Sequence, residues 1–142
     1  MADTCRIVAL GGLGEVGKNM TVYECDGAIV VVDAGLAFPR DEHLGVDLVL
    51  PDFSYLRERA SSIKAVILTH GHEDHVGSLP YLMREVGVPE VWATRLTLGL
   101  VKSKLDEDDP GEEEGERRLL DPGEPGERES EHAQSQGARD QR

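Results

Sequence analysis

Residues Lys64-Ala65-Val66-Ile67-Leu68-Thr69 run straight into His70-Gly71-His72-Glu73-Asp74-His75. The first six form a near-continuous apolar run, which predicts a strand buried on both faces. Beyond the histidines, Val76, Leu79, Leu82, Met83 and Val86 recur at spacings of three and four. That period predicts a helix over Val76–Val86, with Pro80 tolerated in its first turn. The polar hexapeptide is therefore a loop that ends a buried strand and opens a helix. It carries four potential metal ligands, His70, His72, Asp74 and His75. Imidazole and carboxylate suit zinc, and also manganese or iron. Ligands one residue apart in an extended turn point to the same side, and Gly71 allows the turn to be tight. Two cations ~3.5–4 Å apart could then share a hydroxide and clamp a phosphodiester or acyl group. The structural alternative is a solvated polar turn or helix cap, but H-x-H-x-D-H in this position is far more specific than a bare H-x-H. His43 and His132 have no such neighbours and read as surface residues.

Upstream, Cys5–Leu10 reads as a short buried strand and Gly11–Asn19 as a loop carrying Gly11, Gly12, Gly14 and Gly17. Met20–Cys25 and Ala28–Asp33 are β-rich runs around Asp26-Gly27, a strong hairpin signal. Gly12-Leu13-Gly14-Glu15-Val16-Gly17 matches the dinucleotide fingerprint G-x-G-x-x-G, with Asp33 sixteen residues past Gly17. The fingerprint needs a helix opening at the glycines. A hairpin comes next instead, so the glycines are read as turn residues, or as a loop that brings backbone close to an active site. Ala34–Asp52 is a long loop, Phe53–Ala60 has room for two helical turns, and Glu90–Ala93 is a short strand. Thr94–Leu105 is a second helix with Leu96, Leu100 and Leu105 on its buried side. Strands that first form a hairpin and then alternate with helices predict an α/β (α+β) mixed sheet with helices packed on it.

Composition divides the chain after Leu105. Residues 1–105 hold 14 acidic and 10 basic residues and every aromatic. Residues 106–142 hold 14 acidic and 5 basic residues, five Gly, three Pro and only Leu119, Leu120, Ala133 and Ala138 as apolar side chains. Such a segment buries too little apolar surface to offset chain entropy, so 106–142 is expected to be a disordered acidic tail. The net charge of −13 over 142 residues argues against a broad basic nucleic-acid surface. No apolar run reaches the ~18–20 residues of a membrane span. The first residues lack the pattern of a signal peptide. The expectation is a cytoplasmic protein whose two cysteines, Cys5 and Cys25, are reduced thiols.

The segment THGHEDHVGSLPYL at 69–82 resembles motif 2 of the metallo-β-lactamase superfamily. LGGLGEVGKNM, VVDAGLAFP, GVDLVLPDFSYL and AVILTHGHEDHVGSLPYL together resemble the N-terminus of the ribonuclease J family, β-CASP-type nucleases. The resemblance covers about residues 5–105. It implies the N-terminal half of an αββα sandwich and two divalent metal ions, zinc first, with manganese or magnesium as alternatives. His70 and His72 would bind one metal, and Asp74 and His75 the second. Asp33 matches motif 1 and would support the metal loop, fixing imidazole orientation. The catalytic role would fall to Asp74 with a metal-bound water. The implied activity is endonucleolytic and 5′-to-3′ exonucleolytic RNA hydrolysis in RNA decay and processing, with RNA as partner, no membrane, and homo-oligomers for full-length relatives.

The family's later motifs, a further His, a bridging Asp and a final His, have no counterpart after Leu105. The resemblance stops near Lys104–Glu107, and the residues beyond that point are rich in Gly, Glu, Arg, Asp, Pro and Ser. The expectation is a truncated or out-of-frame product that is inactive alone. The rivals are another hydrolase of the same fold, acting on a thioester or lactone, and a non-catalytic metal-binding fragment. The long match from Gly11 to Phe53 disfavours the first.

Overall fold

In the computed structural model, which describes residues 4–40, 44–108 and 118–122, Asp26 and Gly27 take φ of +50° and +78°. Two consecutive positive φ values are the signature of the turn whose twist matches a hairpin. The turn joins β2 (Met20–Cys25) to β3 (Ala28–Val32), antiparallel, with Cys25 opposite Ala28. The strand β1 (Cys5–Gly11) pairs antiparallel with β2. Three further strands, β4 (Ile63–Ile67), β5 (Glu90–Trp92) and β6 (Arg118–Leu120), are added in parallel, giving one six-stranded sheet in chain order. The helices are α1 (Ser54–Arg57), α2 (Glu73–Val76), α3 (Leu79–Glu85) and α4 (Arg95–Asp108). The α/β expectation holds, with antiparallel strands first and parallel strands after.

The core lies on one face of the sheet. Val22, Ile29, Val31, Val66 and Val91 meet Leu56, Val76, Leu79, Leu82 and Val101 from the four helices, all nearly inaccessible. Ile29 pairs with Ile63 and Val30 with Ala65, so Lys64 is an extra residue bulged out of β4. On the opposite face Ile7, Tyr23 and Ile67 are 64 %, 40 % and 42 % exposed, and no helix among the described residues packs there. The expectation that 64–69 is covered on both sides is therefore corrected, because all four helices contribute to the single core on the other face. Cys5–Leu10 is likewise not a buried strand. It is an edge strand, with Val8 and Leu10 packed inward and Ile7 outward.

Three other expectations change. The helix foreseen over Val76–Val86 is two helices, broken at Gly77-Ser78, with Pro80 in the first turn of α3. On α4 the buried side is Thr97 and Val101, while Leu96 and Leu100 are 78 % and 51 % exposed. Cys5 and Cys25 are joined in a disulfide rather than reduced. They are direct cross-strand partners with Cα atoms 4.5 Å apart, the separation of a non-hydrogen-bonded antiparallel pair and within disulfide reach.

The tail expected over 106–142 falls mostly outside the described residues, as do His43 and His132. At 118–120 it is corrected. Arg118–Leu120 pairs parallel with Glu90–Trp92, and Leu119, one of the four apolar residues of that segment, packs against the core. Among the described residues no helix is long and apolar enough to cross a membrane.

Candidate metal centre

Parallel pairing of β3 and β4 delivers two chain ends to the same edge of the sheet. Asp33, just past the end of β3, takes φ +63°, a left-handed conformation that Asp tolerates better than most residues, and its N–H donates to Ile67 O at 2.9 Å. This turns its carboxylate under the loop at the end of β4. The Thr69 N–H and Oγ1 lie 2.8 and 2.9 Å from Asp33 Oδ1, and His75 Nδ1 lies 2.8 Å from Asp33 Oδ2. Asp33 is only 6 % exposed. A buried carboxylate needs such donors to offset its desolvation.

The network assigns the His75 tautomer. An ionised carboxylate only accepts, so His75 Nδ1 carries a proton and donates to Asp33, leaving the Nε2 lone pair outward. A hydroxyl has one proton, and Thr69 gives it to Asp33. Thr69 Oγ1 also lies 3.0 Å from His70 Nδ1, so the hydroxyl links Asp33 to His70. A carboxylate behind a ring nitrogen in this way orients the His75 imidazole. The rings cluster, with the His70 centroid 4.6 Å from His72 and 4.0 Å from His75. Asp74 Oδ2 lies 3.5 Å from His75 Nε2.

A second wall comes from the glycine loop and the segment after Asp33. Asn19 N–H donates to Asp74 O at 3.1 Å, Gly35 N–H to Asn19 O at 3.0 Å, Ala34 N–H to His75 O at 2.7 Å and Leu36 N–H to Glu73 O at 3.1 Å. A Cβ on Gly35 would stand 1.7 Å from Asp74 O, so only glycine lets the three strands of backbone meet here. The Asn19 Nδ2 amide reaches Asp74 O at 3.0 Å, Asp74 Oδ2 at 3.3 Å and His75 Nε2 at 3.3 Å. Glu73 points elsewhere, into an ion pair with Lys104 at 2.9 Å.

The structure thus brings His70, His72, Asp74, His75 and Asp33 to one place. Thr69 and Asn19 belong with them, and sequence reasoning passed over both. Asn19 lay inside a loop already singled out, but nothing local ties it to a residue 55 positions away. The donor chemistry fits divalent cations, with three imidazoles, one carboxylate and a carboxylate behind. The count is short. Among the described residues no group of three or more His, Cys, Asp or Glu is arranged to hold a metal ion. The dinucleotide alternative finds no helix at its glycines. Gly12, Gly14 and Gly17 all have positive φ and lead into β2.

A profile of the metallo-beta-lactamase superfamily matches residues 13–138. The chain belongs to the metallo-beta-lactamase superfamily. Within that superfamily it is similar to Ribonuclease J2 of Bacillus subtilis, 53 % identical over 103 residues, which are 72 % of this chain and 18 % of that protein. Ribonuclease J of Synechocystis sp. is 48 % identical over 102 residues, 72 % of this chain and 16 % of that protein. Ribonuclease J of Thermus thermophilus is 50 % identical over 110 residues, 74 % of this chain and 19 % of that protein. This superfamily member therefore spans less than a fifth of the length of these relatives. Among solved structures, human tRNase Z, short form, superposes with a TM-score of 0.50 at 18 % identity, covering 81 % of this chain and 44 % of that one, a likeness of fold.

Proposed function

We propose that this chain carries the N-terminal metal-binding loop of a ribonuclease-J-type nuclease that hydrolyses RNA phosphodiester bonds, and that residues 1–142 alone are inactive. The observation that carries the reading is the buried Asp33 carboxylate, which contacts His75 Nδ1 directly and is linked to His70 through the Thr69 hydroxyl. That is the role of a carboxylate behind metal-ligating histidines. His70 and His72 would hold one divalent cation and Asp74 and His75 another, with zinc first and manganese or magnesium as alternatives. When bound, such cations activate water and offset charge on phosphate oxygens. Asp33 orients the His75 ring, and Gly35 admits the backbone that carries Asp74.

Inactivity follows from the ligand count. Asp74 is the one carboxylate among the four proposed ligands, and two-metal sites need further protein groups to neutralise and position both cations. The RNA partner, the homo-oligomer and the cytoplasmic location extend the same resemblance to ribonuclease J.

A chimera tests the activity. Residues 1–105 replace the matched N-terminal part of Thermus thermophilus ribonuclease J, and cleavage of a 5′-labelled RNA is monitored with zinc, manganese and magnesium. The expected result is metal-dependent cleavage that His72→Ala removes, with none from residues 1–142 alone. A folded chimera that leaves RNA intact would overturn the reading, as would turnover by the isolated chain that His72→Ala abolishes.

A further inference from the structure

The strand β1 is held on one side only. It is first in the sheet order, so β2 is its single neighbour among the described strands, and Val8 and Leu10 are the side chains it packs against the core. At its outer end Cys5 lies opposite Cys25, the last residue of β2, and the two are joined. Both residues are exposed, so small thiols and disulfides can reach the bond from solvent. The next rung is clamped independently of the sulfurs. Arg6 Nη1 lies 3.4 Å from Glu24 Oε2, and the Tyr55 hydroxyl of α1 donates to the same carboxylate oxygen. That rung keeps the register when the sulfurs are apart, so the two thiols stay opposed. The bond spans a sequence separation of 20 and closes a ring that contains the whole glycine loop. The ring includes Asn19, whose backbone bonds to Asp74 O and Gly35 N–H.

We propose that Cys5 and Cys25 form a reversible redox clasp on β1, opened and closed by exchange with glutathione and its disulfide. To close it, one cysteine thiolate attacks glutathione disulfide and releases one glutathione, leaving a mixed disulfide. The second cysteine thiolate then attacks the protein sulfur of that mixed disulfide and releases the second glutathione. Two electrons pass from the cysteine pair to glutathione disulfide, and the two cysteine protons end on the two released thiols. Opening is the reverse, with two glutathione thiols as the reductant. With the clasp open, β1 peels from β2 about 100-fold more often, the loop-closure entropy of a ring of this length. The peeled strand carries Gly11 with it and bares the edge of β2. The redox state of the pair thereby sets how firmly the glycine loop, which backs the Asp74 backbone, is anchored at its β1 end. The clasp rests on the β1–β2 ladder and is independent of the nuclease reading.

The test equilibrates residues 1–142 in mixtures of reduced and oxidised glutathione, quenches with acid, and counts free thiols by alkylation and mass. The expected result is a half-closed pair at an intermediate ratio, reached equally from the oxidised and the reduced chain. Amide hydrogen exchange then compares the two states. In the reduced chain β1 amides are expected to exchange about 100-fold faster than in the oxidised chain, and faster than those of β3. In Cys25→Ser they are expected to exchange as in the reduced wild type at every ratio. A bond that stays closed in reduced glutathione alone is a permanent cross-link and would overturn the clasp. Thiols that stay free, or carry glutathione instead of each other, in oxidised glutathione alone would do the same. So would β1 amides that exchange equally in both states, or no faster than those of β3 after reduction. The wild-type readings decide the matter even where the serine variant does not fold.

Discussion

Asp33 and His75, 42 residues apart in the chain, meet through an Oδ2–Nδ1 contact of 2.8 Å beneath the histidine loop. The same carboxylate takes both donors of Thr69, so one buried side chain anchors the end of β3, the end of β4 and the start of α2. Asp33→Asn separates geometry from charge. Asn also tolerates positive φ, so the backbone is preserved. Its amide satisfies the two Thr69 donors only with its oxygen toward them, which turns NH2 onto His75 Nδ1 and makes the ring accept there and carry its proton on Nε2, the atom proposed to face a cation. The expected outcome is a loss of about 1–3 kcal/mol in thermal unfolding and about 10–100-fold weaker Zn²⁺ binding by calorimetry.

Gly35 and Gly71 make a matched pair. A Cβ at Gly35 meets backbone, Asp74 O at 1.7 Å and Asn19 N at 2.8 Å, which cannot swing away. A Cβ at Gly71 meets only Leu100 Cδ1 at 2.5 Å, the end of a half-exposed side chain. Gly35→Ala is expected to cost about 3 kcal/mol or more and Gly71→Ala within about 1 kcal/mol. Urea midpoints measure both, and equal effects would contradict the geometry.

Ser78 is fully buried, and its hydroxyl has no hydrogen-bond partner among the described residues. Its backbone N–H, by contrast, donates to Ala34 O. Ser78→Ala removes an unsatisfied polar atom while keeping the backbone bond. It should stabilise the chain by about 1 kcal/mol, read as a higher Tm. A lower Tm would mean the hydroxyl has work the structure does not show.

The open sheet face bears Ile7, Tyr23 and Ile67 in neighbouring ladders. Exposed apolar sheet surface promotes association. Concentration-dependent sedimentation is expected for residues 1–142. The double variant Ile7→Thr with Ile67→Thr, which keeps β-branched side chains, should reduce it.

Asp52 precedes α1, and the Ser54 hydroxyl and N–H hold its carboxyl below the ordinary carboxylate range. A lowered pKa means the contribution is present above the unfolded value and lost as pH falls through the folded one. Side-chain ¹³C titration should show Asp52 ionising below a reference Asp, and Ser54→Ala should bring it part-way back.

Local pattern was enough for much of this protein. Asp26-Gly27 specified its hairpin because two positive φ values are inexpensive there, and the short apolar, β-branched run at 64–69 marked a strand, though not that only one of its faces is covered. The H-x-H-x-D-H spacing marked the candidate ligands, since those side chains have few other reasons to crowd one turn. What no local pattern could determine was which face of the sheet the helices would cover, and so whether Ile67 is buried or Leu96 exposed. Nor could it determine the pairing of Cys5 with Cys25 or the strand at 118–120, both products of register between distant segments. The meeting of Asn19 with Asp74 and His75 belongs to the same class. It exists because parallel pairing of β3 with β4 brings the chain after Asp33 across the histidine loop, where Gly35 leaves just enough room for backbone to touch backbone.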